Sequence, residues 1–458
     1  MGELRAADLI AIREQLGRDP TTPFSVVVRC QGGHPLVIRN RPIDLDGNPF
    51  PTLFWLTCPD AHRAVARLES VGRIRELNER CDDDPVFAAE VERAHRDHAR
   101  ERARYLPAAE AFGGVGGTRT GVKCLHAHYA NHLAGGDDPI GAIVAAEIEP
   151  PHGPTPPGRV AAVDQGTNSI RLLILEADGT ELARDMVITR LGDGVDRTGR
   201  MDLGSLDRTL DMLGIYVRRA RALGVQRIRI AATSAVRDAS NRAAYENGVE
   251  AVAGVVPEIV NGIREAELSF RGAVAGLEAP APFCVLDIGG GSTEFALGTA
   301  GPDHAVSLQM GSVRLTERHL RSDPPAPEEM RAMLEEIRAS LGEVDVHVPV
   351  SEAETVIAVA GTATTMRAIS LDLEVHDPDL IHHGPLALAE AEAVFRALAR
   401  MTLAERTAIP VMAPGRAEVI VAGAAVLVEV MRRWGIEQVI VSEHDILDGH
   451  AAELLSSR

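Results

Sequence analysis

Two short stretches of the chain share residue types suited to binding and cleaving phosphate. Val163-Asp164-Gln165-Gly166-Thr167-Asn168-Ser169 matches Leu286-Asp287-Ile288-Gly289-Gly290-Gly291-Ser292 at the aspartate, the first glycine and the serine, and each lies between two apolar runs. Asp-x-Gly-x-x-Ser between two strands forces a tight hairpin whose backbone N–H groups and hydroxyls point into one concavity. Glycine there permits the close approach of a phosphate. The aspartates can hold a hydrated Mg²⁺ or position a water. A single such hairpin is an ordinary glycine turn, but two with matched aspartates point to phosphate held by two related lobes. A third turn, Ala360-Gly361-Thr362-Ala363-Thr364-Thr365, follows an apolar run and opens a predicted helix. Gly361 and Thr362 suit an anion there through free N–H groups and the helix dipole, although a plain capped turn has the same composition. Arg237, in the segment Ala232–Asn241 at the end of an apolar strand, could clamp a phosphate bidentately or simply pair with Asp238.

The elements that must carry these residues form an alternating pattern. Strands are expected at Val160–Val163, Ile170–Glu176, Leu182–Thr189, Arg227–Ala232, Glu258–Val260, Phe283–Leu286, Thr293–Leu297, Val356–Val359 and Gln438–Val441, with helices between them, including helices starting at Asn241 and Ile263. This is an α/β pattern. Pro150 to Gly158 reads Pro-Pro-His-Gly-Pro-Thr-Pro-Pro-Gly, an extended spacer rather than helix or strand, and marks a domain boundary. Before it, residues 1–149 form an α+β domain: strands at Phe24–Cys30, Pro35–Ile38 and Leu53–Leu56, a turn at Asp46-Gly47-Asn48-Pro49, and helices over Ala61–Leu77 and Pro85–Tyr105. The expected division is therefore 1–149, a linker at 150–158, one lobe at 159–280 and a second at 281–458.

Asp164–Arg171, Ala232–Asn241, Asp287–Glu294 and Ala360–Thr365, in this order and spacing, resemble the exopolyphosphatase/guanosine pentaphosphatase family over roughly residues 159 to 458. That family shares the actin-like superfold of sugar kinases and Hsp70-type ATPases. The resemblance implies two hairpins gripping phosphates from opposite lobes with Mg²⁺, and a glutamate that activates the attacking water. The matching hairpin residues are Asp164, Gly166, Thr167, Asn168 and Ser169, then Asp287, Gly289, Gly290, Gly291, Ser292 and Glu294. Asp164, Asp287 and Glu294 become the metal candidates, with Arg237 to neutralise charge. Aligned by Gly262 and the following Ala-x-Leu, Glu265 matches the family's base, and Arg264 stands where a second acid is common. Ile263, Ala266, Phe270, Ala273, Val274 and Leu277 form an apolar stripe with Glu265 off its centre, free to face a cleft. Glu267, the reserve candidate, is expected to pair with Arg271, and Arg264 to form a structural salt bridge. The turn Ser442–Gly449 lines the cleft by resemblance, with Asp445 where glycine is often seen. The chain resembles the short form of the family, and a homodimer is implied on the same ground.

Composition removes several other readings. The net charge is −19, against a broad nucleic-acid-binding surface but compatible with a small anionic substrate met by local arginines. Lys123 is the only lysine, so no Gly-Lys-[Ser/Thr] phosphate loop exists. Apolar runs fall short of a membrane span and the start lacks a signal-peptide core, so a cytoplasmic protein is expected. His376-Asp377 and His444-Asp445 lack the further ligands of a His-Asp phosphohydrolase. The expected reaction is release of terminal phosphate from polyphosphate; guanosine pentaphosphate as substrate, or a sensor without turnover, are the alternatives.

The first domain resembles an uncharacterised actinobacterial family through Trp55–Pro59, Gly113–Gly117 and Gly121–Ala130, and that resemblance supplies no activity. Cys124, His128 and His132 are spaced four apart and would share a helix face, either to hold zinc or as a buried thiol beside hydrogen-bonded histidines.

Overall fold

A computed structural model describes residues 6–30, 32–43, 50, 52–105, 113–148 and 158–456. The expected turn at 46–49 and the spacer at 150–157 lie outside the described residues. By packing, the chain divides into two compact units. The first comprises Met1–Ala161, Leu173–Asp185 and Gly214–Ile228; the second comprises Ala162–Leu172, Met186–Leu213 and Arg229–Arg458.

In the first unit an antiparallel three-stranded sheet, in the order Phe24–Arg29, Pro35–Asn40, Phe54–Leu56, packs among helices. The helical stretch expected over Ala61–Leu77 is two helices, Pro59–Ser70 and Arg73–Asp83, because Gly72 sits at φ +91° and breaks the run between them. Buried Asp185 accepts from Arg39 at 3.3 Å and from Arg219 at 3.0 Å, which compensates charges that burial would otherwise make costly.

The matched hairpins are built alike. One sheet runs in the order Glu181–Ile188, Ser169–Leu175, Val160–Gln165, Arg227–Ala232, Glu258–Ile259. The other runs Pro302–Leu308, Thr293–Gly298, Phe283–Ile288, Thr355–Val359, Gln438–Val441, Gly384–Ala387. In each, the strand carrying the aspartate is central, its hairpin partner lies on one side and a later strand on the other; in the second sheet that later strand, Thr355–Val359, is parallel. Phe283–Ile288 is buried along its whole length, as a strand covered on both faces must be. This is the expected α/β, actin-like class of fold. No helix among the described residues is long and apolar enough to cross a membrane.

Candidate functional site

The two hairpins close with the same hydrogen bond: Gly166 N–H donates to Ser169 O at 2.9 Å, and Gly289 N–H to Ser292 O at 3.0 Å. Their tips meet. A Cβ on Gly291 would lie 2.4 Å from Ser234 Oγ and 2.7 Å from Thr167 Oγ1, so only glycine lets the second tip reach the first. The tip carbonyls are held from behind. Thr167 O accepts from Gly192 and Asn168 O from Thr189 and Arg190; Gly289 O accepts from Ser312 and Gly290 O from Val313. Because a planar trans peptide points its N–H opposite to its C=O, this turns the N–H groups of Asn168, Gly290 and Gly291 away from those braces. Arg314 fastens the second tip, donating through Nε to Gly291 O at 2.8 Å and through Nη2 to Asp238 at 2.8 Å.

Behind the tips five carboxylates gather: Asp164, Glu265, Asp287, Glu294 and Asp445, all buried. Asp164 and Asp287 come from the ends of their strands, and Glu294 is cross-strand partner of Asp287. Asn261 caps the helix Gly262–Val274, accepting from Arg264 N–H at 2.9 Å, which places Glu265 in its first turn. Gly272 of that helix has no room for a Cβ, which would lie 2.0 Å from Asp445 O, so the turn at 445 is pressed against the helix.

Two guanidinium groups serve this group of acids. Arg171 bridges Asp164, through Nη2 at 2.7 Å, and Asp445. Arg237 donates to Val260 O at 2.9 Å and to Glu265 Oε2 at 3.3 Å, and stands 3.8 Å from Asp238, the partner the sequence offers it as the alternative to a phosphate. Ser269 donates to Asp287 at 2.5 Å and Ser307 to Glu294 at 2.6 Å. Asp164 Oδ1 and Glu294 Oε2 have no hydrogen-bond partner although both are buried.

Five acids against two arginines cannot all stay ionised in a buried site without further positive charge. Burial, and then the charges of Glu294 and Asp287, raise Glu265 well above the usual carboxylate range, with Arg237 opposing. Burial also raises Asp164 against the pull of Arg171. Asp287 is pushed up to about 6 by burial and then by Asp445, and Glu294 to about 8 by burial and then by Asp287. The donor set suits a divalent cation: hard oxygens, excess negative charge and two orphaned oxygen atoms. Sign follows directly for stability. A carboxylate whose folded pKa is raised stabilises the fold while protonated and loses that contribution as pH climbs through the folded value. In chelator, the thermal midpoint should therefore fall as pH rises from about 5 to 8, and Glu294→Gln should flatten that slope. Equal slopes for the two proteins in differential scanning fluorimetry would refute this reading of Glu294.

The structure differs from expectation at several places. Ile263 is 46% exposed, so the buried face of its helix is formed by Glu265, Ala266, Ser269, Phe270 and Ala273 instead of a stripe that includes it. Glu265 lies off the packed face of Ala266, Phe270 and Ala273, and it is buried among acids. Glu267 pairs with Arg264 at 3.3 Å, not with Arg271, because Glu453 draws Arg271 at 2.9 Å. Arg264 also reaches Glu453 and is structural. Cys124 does not share a helix face with His128 and His132: it precedes the helix Leu125–Leu133 in extended conformation, and His128 is buried against Asp138 at 2.9 Å.

Gly361 and Thr362 lie in the first turn of the helix Ala360–Ser370, where a residue outside every sequence motif joins them. The Arg416 guanidinium covers Gly361, where a Cβ would meet it at 2.3 Å, and donates to Thr365 Oγ1 at 2.8 Å. Burial lowers its pKa to about 10. Arg416 carries no local signature, its partner Thr365 lying 51 residues away; Asp445 falls in the turn singled out by resemblance, but nothing local marks its pairing with Arg171.

A cleft of about 680 Å³ opens beside the acids, lined by Arg237, Asn261, Gly262, Arg264, Ser307 and Gln309 among others. Residues 174–457 match the Ppx/GppA phosphatase family, and residues 26–146 match a protein family of unknown function, DUF501. The chain is 43% identical over 314 residues to Exopolyphosphatase 2 of Mycobacterium tuberculosis, covering 65% of this chain and 98% of that protein. A solved exopolyphosphatase-like protein superposes with TM-score 0.63 at 34% identity, covering 65% of this chain and 99% of its own. The Aquifex aeolicus Ppx/GppA family member gives 0.56 at 29% identity, covering 66% and 98%. With nearly the full length of these relatives matched, and the hairpins, braces and acids in one unit, this chain belongs to the Ppx/GppA phosphatase family of phosphoanhydride hydrolases.

Proposed function

We propose that the protein releases terminal orthophosphate from inorganic polyphosphate, with Glu265 as the base that takes a proton from the attacking water. The observation that carries this reading is the acid group itself: Glu265 sits behind two facing phosphate-type hairpins, raised in pKa, within reach of Arg237. A carboxylate raised toward neutrality by burial and like charge is a competent general base. Phosphoryl transfer needs little beyond an oriented water, neutralised oxygens and in-line geometry. The N–H groups at Asn168, Gly290 and Gly291 and the hydroxyls of Thr167, Ser169 and Ser292 would hold the terminal phosphates. Arg237 would offset charge on the transferring group, and Gly361, Thr362 and Arg416 would receive a phosphate further along the anion. Asp164, Asp287 and Glu294 would hold Mg²⁺, which when bound supplies positive charge to the phosphate oxygens.

The test is phosphate release by the purified full chain with Mg²⁺ on long polyphosphate, short polyphosphate, guanosine pentaphosphate and ATP. Polyphosphate should be turned over fastest. Release confined to guanosine pentaphosphate would replace the substrate assignment, and tight binding without turnover on all four would make the protein a sensor. Arg416→Met should raise KM for polyphosphate by roughly tenfold, about the 1.4 kcal/mol of one charge-assisted hydrogen bond, with kcat little changed. Unchanged KM in steady-state assays would remove Arg416 from substrate binding.

A further inference from the structure

Three side chains in the first compact unit converge on a point that the phosphatase site does not use. Glu69 lies near the end of the helix Pro59–Ser70, Cys124 caps the start of the helix Leu125–Leu133 with φ −153°, and His126 is in that helix's first turn. One ligand atom from each lies within 4.8 Å of the other two, and among the described residues no other His, Cys, Asp or Glu set is gathered so tightly.

The hydrogen bonds fix which atoms are offered. His126 Nε2 is 3.1 Å from the carbonyl of His62. A carbonyl only accepts, so Nε2 carries the hydrogen and Nδ1 of the neutral ring carries the lone pair. Nδ1 then faces Glu69 Oε1 at 3.2 Å, another lone-pair atom. Two acceptors at that distance repel unless a cation lies between them. Glu69 Oε1 is held in place by Leu125 N–H at 2.7 Å, and the His62 ring packs on His126 with centroids 4.1 Å apart. An imidazole that donates its other nitrogen to a backbone carbonyl is oriented as metal-ligating histidines are. A proton could fill the gap between Nδ1 and Glu69, with the Cys124 thiol as a hydrogen-bond partner of the same ring; an ion accounts for the convergence of all three ligand types on one point. All three residues are half-buried, so an ion could enter from solvent.

We propose that Glu69, Cys124 and His126 form a binding site for a zinc-class divalent ion, tying the end of the helix Pro59–Ser70 to the start of the helix Leu125–Leu133. Mixed sulfur, nitrogen and oxygen ligands select zinc, cobalt or a similar borderline metal over Mg²⁺, and three protein ligands leave one position for water or another ligand. The site is chemically distinct from the acidic centre, which contains no sulfur.

The experiment is titration of the chelator-stripped full chain with Co²⁺ in excess Mg²⁺, read by thiolate-to-cobalt charge-transfer absorption. The band should saturate at one equivalent, be displaced by Zn²⁺, vanish in Cys124→Ser and persist in Cys81→Ser, whose thiol lies in the helix Arg73–Asp83. Glu69→Gln, which keeps the side-chain shape, should weaken Co²⁺ binding by about tenfold or more. Should Cys124→Ser fail to fold, protection of the wild-type thiol from a thiol reagent by Zn²⁺ gives the same answer. Absence of the band in wild type, its survival in Cys124→Ser, or an unprotected thiol would each overturn the site.

Discussion

Glu265→Gln is expected to lower kcat for phosphate release by roughly 10²- to 10⁴-fold, the range for loss of a general base, with KM nearly unchanged. The substitution keeps the shape and the hydrogen-bonding contact with Arg237, 3.3 Å away, while removing the basic oxygen. It also removes one of five crowded acids, so the protein should become more stable, not less. Desolvation disfavours the ionised form of Glu265, and the neighbouring Glu294 and Asp287 add to that cost. Loss of activity with gain of stability is a signature that a merely structural carboxylate would not produce. Phosphate-release kinetics and a thermal melt on the same preparation give both numbers. Retained turnover would reassign the base to Asp287 or Glu294, since Arg171 pairs with Asp164 and Asp445 and Glu267 faces an ion pair with Arg264.

The parts legible in the sequence are those written locally. Asp164 and Asp287 repeat within matched apolar runs, and the strands at Arg227–Ala232 and Gln438–Val441 have the bounds their composition implies. Edge strands with a proline in their first two residues, Pro302–Leu308 and Gly384–Ala387, escape a pattern search because an edge needs neither continuous burial nor every ladder hydrogen bond. Charge pairing is the larger loss. Spacing on the helix Gly262–Val274 favours Glu267 with Arg271, yet Glu453, nearly two hundred residues on, takes Arg264 and Arg271 together. The same limit hides the partner of Arg171. Asp445 lies 274 residues away from it, and no local rule joins them. Cys124 illustrates the converse error: a period of four predicts a shared face only where the first residue is already helical, and Cys124 is not.

Arg171 should be the most costly residue of the centre to remove. Among the described residues it is the one guanidinium that pairs with Asp164, and it holds Asp445 as well, the two carboxylates being only 3% and 4% exposed. Arg171→Met leaves two buried carboxylates unpaired, for which a loss of about 3–5 kcal/mol is expected, and kcat/KM should fall at least 100-fold because Asp164 is no longer held behind its hairpin. Lysine is not a substitute, since a single ammonium cannot reach both carboxylates as the planar fork does. A second substitution separates the two effects. Asp445→Asn in the Arg171→Met background removes one of the stranded charges, so urea denaturation should show part of the stability restored while activity stays low, Asp164 still lacking its partner. If the double variant is no more stable than the single one, the bridge between the first strand's aspartate and the C-terminal turn is not what holds this end of the site together, and the cost of losing Arg171 must lie in packing of its aliphatic stem.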